Sequence, residues 1–198
     1  MKSSEVHKSY IKDIDMNKMK LALLVAGSLV AGASTSAFAE GQGTVTFNGK
    51  LITETCEITS LIDQTVNLDA VSIKTLNGSG KEGGFKAFNI AVDCPASPTE
   101  FTQVGIHFEP VGETTPWDPA TGNLKNNSTA ADAAENVQVK IYNTNDGVQH
   151  HAKIGEVSKW VTAAAGANTF YYAGGYYATD ATTAGPVTAK VQYTLVYQ

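Results

Sequence analysis

The sequence predicts an all-β sandwich, on three observations. Segments alternate apolar and polar residues with a period of two, and turn-forming clusters fall between them. No stretch beyond Ala39 holds a 3.6-residue period for more than two turns. Many short strands with turns at these intervals pack as two sheets with their apolar faces together.

The chain opens on a processing segment. Met16-Asn17-Lys18-Met19-Lys20 is basic, Leu21–Ala33 is apolar, and Ser34-Thr35-Ser36-Ala37-Phe38-Ala39 ends in a small-x-small site. This is the layout of a secretory signal peptide over residues 1–39, with cleavage between Ala39 and Glu40. The apolar run of 13 residues falls short of the roughly 20 a spanning helix needs. Residues 1–15 are polar and charged, so Met16 is a second candidate start.

The expected mature chain, residues 40–198, has 9 Lys, no Arg and 16 Asp plus Glu, a formal charge of −7. Such a surface lacks the cations that neutralise phosphate, which argues against nucleic acid as a partner. It argues equally against anionic lipid.

The first mature segment alternates. Gly41, Gly43, Val45, Phe47 and Gly49 share one parity, and Gln42, Thr44, Thr46 and Asn48 the other. It reads either as an edge strand or as an arm that leaves its own domain. Cys56 and Cys94 are the only cysteines, and two cysteines in a secreted chain predict one disulfide. Closing a loop of 37 residues should stabilise the fold by about 3–4 kcal/mol.

Further strands are predicted from Phe88, Ile90, Val92 and Cys94, from Val104, Ile106 and Phe108, from Val137, Val139 and Ile141, and from Phe170, Tyr172 and Tyr176. Asn145-Asp146-Gly147 marks a hairpin tip. The Ala-rich pieces 130–134 and 163–167 read as loops or single turns. The last strand is the most regular: Val187, Ala189, Val191, Tyr193, Leu195 and Tyr197 line one face up to the end at Gln198. An apolar face that long must pair and pack.

Nothing points to catalysis. Of the four histidines, His7 precedes the signal and His150-His151 follow a turn, where they read as solvated. Neither His-x-His nor His-Glu-x-x-His spacing occurs, so no metal site is expected, and no Gly-x-Ser-x-Gly or phosphate-binding glycine loop appears. The pairs Glu54/Glu57 and Glu109/Glu113 read as solvated face residues rather than a hydrolase dyad. No cofactor is implied.

Taken together, several segments resemble the major pilins of chaperone–usher fimbriae, the type 1 and P pilus shaft family. They are Gly43-Thr44-Val45-Thr46-Phe47-Asn48-Gly49-Lys50 ahead of Cys56, Phe88–Cys94, and Asn136–Tyr142 with its turn. The C-terminal motif is the strongest match: Gly185 stands fourteenth from the end and Tyr197 is penultimate. The resemblance covers residues 40–198. It implies an incomplete immunoglobulin-like β-sandwich lacking one strand, completed by a donor strand of a neighbouring subunit.

On that resemblance, residues 40–49 are the donor extension and 50–198 the pilin domain. Gly41, Gly43, Val45 and Phe47 face the groove, with Val45 and Phe47 as apolar plugs. Gly43 meets a pocket with no room for a side chain. Gly41 stands where the family often has an apolar residue. Gly185, Val187, Val191, Tyr193, Leu195 and Tyr197 line the groove or meet the chaperone and usher. The implied partners are identical subunits, a periplasmic chaperone, an outer-membrane usher and tip adhesin or adaptor subunits. The implied location is a fimbrium on the bacterial surface, reached through the periplasm. A minor adaptor or tip pilin, or a monomeric secreted binding sandwich, are the alternatives.

Overall fold

The computed structural model describes residues 43–112 and 116–198. The expected signal segment, its expected cleavage site at Ala39 and Glu40, and Gly41 lie outside the described residues. Residues up to Gly49 form a unit separate from the body Lys50–Gln198.

Among the described residues the body contains ten strands: β1 (Glu57–Ile58), β2 (Glu82–Cys94), β3 (Gln103–Glu109), β4 (Trp117–Asp118), β5 (Asn123–Lys125), β6 (Val137–Asn143), β7 (His150–His151), β8 (Val157–Thr162), β9 (Gly166–Ala178) and β10 (Gln192–Tyr197). There is no α-helix among the described residues. One sheet runs β1-β2-β9-β6-β5-β4, with β7 also paired to β6, and the other runs β10-β3-β8. Every ladder is antiparallel.

The alternating residues meet between the sheets. Ile90 and Val92 of β2 and Phe170 and Tyr172 of β9 share one core with Val104, Ile106 and Phe108 of β3. The Tyr172 ring stacks on Phe88 at 5.3 Å and meets Phe108 edge-on at 5.1 Å. The Tyr172 hydroxyl, whose burial in the core raises its pKa, is 2.7 Å from the Ser158 hydroxyl. Buried phenols need such a partner. The disulfide Cys56–Cys94 is formed and joins the start of β1 to the end of β2.

Three details differ from the sequence reading. His150 and His151 are the return strand of the hairpin, paired with Asn143 and Tyr142. His151 is half-buried, which holds its pKa below the usual imidazole value. The second Ala-rich piece is partly strand, because β9 begins at Gly166. The last ladder is shorter than its alternation, ending at the pair Gln192↔Glu109. Pro110 follows Glu109, and without an N–H it cannot extend the ladder. Residues 186–188 bond instead to Asn126, Asn127 and Ala134.

Candidate functional site

The two sheets do not close at one side. β10 pairs with β3 on one edge, and among the described residues no strand pairs with the other. β1, at the end of the larger sheet, pairs only with β2. Between these edges the core is thinly covered. β3 buries Val104, Ile106 and Phe108 to 1 % exposure or less, whereas the residues paired with them, Tyr197, Leu195 and Tyr193, are only partly buried. Val191 and Ala189 carry the same half-buried face beyond the ladder. A strand that covers a core from an inner position is as buried as its neighbour. One that borders a vacancy is not.

Only side chains cross this gap. The Cys56 N–H donates to the Tyr197 hydroxyl at 3.0 Å, and the Tyr193 hydroxyl donates to the Ile62 carbonyl at 3.1 Å. Phe101 packs on the Tyr197 ring at 4.6 Å between centroids. Among the described residues no backbone–backbone bond joins segment 56–62 to β10. The penultimate tyrosine therefore buttresses the disulfide, and burial raises its phenol pKa while the Cys56 contact lowers it.

Gly185 and Val187 sit further on, where they line a cleft of about 290 Å³ with Leu76, Val137 and Tyr176. Gly185 answers a close approach. A Cβ there would lie 2.0 Å from the Asp132 carbonyl oxygen and 2.6 Å from the Ala134 nitrogen, both backbone atoms that cannot swing away. Gly185→Ala is expected to destabilise the subunit by about 1–3 kcal/mol, the usual cost of overpacking. The denaturant midpoint of purified subunit assemblies checks this, and an unchanged midpoint refutes the clash.

Residues 43–49 carry no strand and all are exposed, Val45 to 75 % and Phe47 to 91 %. A Cβ on Gly43 would meet nothing within 4 Å. The chain then anchors itself through reciprocal carboxylates. Glu100 accepts the N–H groups of Thr53 and Glu54 at 2.7 Å each, while Glu54 accepts those of Thr99 and Glu100 at 2.8 and 3.4 Å. The amides of Glu54 and Thr53 hold the Glu100 carboxyl below its ordinary pKa.

Glu54 thus has a structural part, and Glu57 is an exposed residue of β1. Glu109 holds His107 at 2.8 Å, and Glu113 lies outside the described residues. Among the described residues, no three His, Cys, Asp or Glu side chains gather as a metal site. Sequence reasoning missed Ile52 and Ile58, which pack on the core opposite β10, and Glu100, which carries no motif.

A sandwich with one open side and an unpaired edge beside its C-terminal strand is a pilin-type fold. The family model described as "Fimbrial protein" matches residues 45–198. The chain is 40 % identical to the F17 fimbrial protein of Escherichia coli over 86 % of this chain and 95 % of that one. It is 37 % identical to the major fimbrial subunit SMF-1 of Stenotrophomonas maltophilia over 88 % and 99 %. The P pilus rod subunit PapA superposes with a TM-score of 0.56 at 15 % identity, over 72 % of this chain and 99 % of that one.

This chain belongs to the fimbrial protein family. It is a structural subunit of a surface fimbria, and the family is not enzymatic.

Proposed function

We propose that this chain is the repeating shaft subunit of its fimbria, and that subunits join by donor-strand exchange. The vacancy beside β10 receives residues 40–49 of a neighbouring copy. One observation carries the reading: a single chain pairs an open-sided sandwich with an alternating apolar segment exposed along its length. An unpaired edge beside apolar surface is a template for an added strand. Ladder hydrogen bonds give affinity, and alternate side chains set register. Full burial of Val45 and Phe47 stabilises the joint by about 1.5–3 kcal/mol each.

Before assembly the same edge is an aggregation hazard. A periplasmic chaperone covers it and an outer-membrane usher exchanges the cover for the next subunit's arm. Tip adhesin or adaptor subunits complete the fibre, which serves adhesion and biofilm formation. The shaft role, rather than that of a rarer adaptor, is supported by likeness to a relative named as a major subunit. Electron microscopy of filaments sheared from expressing cells, with mass identification of the dominant band, is the test. This chain as the dominant band is the expected result; its presence as a trace component overturns the shaft assignment.

A further inference from the structure

The open side of the sandwich presents a physical difficulty. Its two banks carry apolar residues, Ile52 and Ile58 on one side and Val191 and Leu195 on the other, all packed on the core but only partly buried. Hydrophobic burial favours drawing such banks together. A closed gap admits no strand. Among the described residues no backbone ladder holds the banks, and the hydrogen bonds that cross are those of the Tyr193 and Tyr197 hydroxyls.

These contacts suit the task of keeping the banks apart. Tyr193 and Tyr197 lie on one face of β10, four residues apart. They reach Ile62 and Cys56, well separated on the opposite bank. A tyrosine is rigid and spans more than the roughly 4.8 Å between paired strands. Each contact therefore runs from ring hydroxyl to backbone rather than backbone to backbone, as direct pairing would. Cys56 is itself tied to β2 through the disulfide, so the Tyr197 contact rests on a firm support.

We infer that Tyr193 and Tyr197 are positioning struts: their hydroxyl bonds hold segment 56–62 away from β10 and keep the vacancy wide enough for residues 40–49 of a second copy to enter. The inference rests on the donor-strand reading above. Preorganisation of this kind acts on entry, because an unbraced vacancy must reopen before a strand docks.

Tyr193→Phe is the informative variant. It keeps the ring and frees only the Ile62 carbonyl, on a residue exposed to 66 %, where water replaces the lost donor. The probe is a fluorescent peptide of residues 40–49, added in excess to the full-length chain refolded at nanomolar concentration, with association and dissociation followed by anisotropy. Tyr193→Phe is expected to slow association about five- to tenfold, the effect of one net hydrogen bond, with dissociation changed less than twofold. Tyr197→Phe should act in the same direction. Tyr171→Phe, on an exposed tyrosine of β9, should leave both rates unchanged. Equal association for wild type and Tyr193→Phe overturns the strut, as does a change confined to dissociation, which marks ordinary packing. If the wild-type chain takes up no peptide, the donor-strand reading falls and the struts fall with it.

Discussion

A chain lacking residues 40–48 is expected to reach the periplasm, accumulate bound to its chaperone and form no filaments. The body from Lys50 onward contains every strand of both sheets, the disulfide and the Glu54–Glu100 anchor. What the deletion removes is the exposed segment with Val45 and Phe47. Loss of those two burials alone weakens each joint by about 3–6 kcal/mol, or roughly two to four orders of magnitude in its equilibrium constant. The lost ladder adds to this. Filament counts and the ratio of assembled to chaperone-bound subunit measure the effect. Fibres of normal number and length from this deletion would show that residues 40–48 are not the link.

Removing either cysteine should produce the second large effect. Cys56→Ser or Cys94→Ser opens the bridge that fastens β1 to β2, and β1 pairs over only two positions. Loss of a native disulfide from a small secreted domain costs about 2–5 kcal/mol, a large part of the stability of a sandwich left open on one side. Periplasmic yield should fall severalfold, and the surviving subunit should unfold at a lower urea concentration. Matching urea midpoints for the serine variants and wild type would refute this account of the bridge.

Much of the core could be read from alternation. Ile90 and Val92, Val104, Ile106 and Phe108, and Ile141 fall where the period places them, because each lies on a strand with one face inward, and the Asn145–Gly147 turn joins β6 to its return strand. Strand β8 shows no clear alternation: Val157 and Val161 share a parity with Lys159, and Trp160 shares the other with Ser158 and Thr162. β4 and β5 are two and three residues long and exist through tertiary pairing, which no local pattern records.

The open side was legible only in part. The C-terminal alternation marked Tyr193, Leu195 and Tyr197 but not what faces them. Those contacts join residues more than a hundred positions apart. Likewise the Glu54–Glu100 anchor depends on a fold that brings two unremarkable acids together.

The disulfide has a mechanical consequence. On the donor-strand reading, tension drawn through residues 40–49 enters the body at Lys50 and arrives within a few residues at Cys56. A two-residue strand such as β1 would peel from its neighbour under modest pull. The covalent link instead passes the load straight to Cys94, at the end of a thirteen-residue strand that lies between two others. Traction on the fibre is thereby spread across the broad sheet rather than spent unzipping its margin.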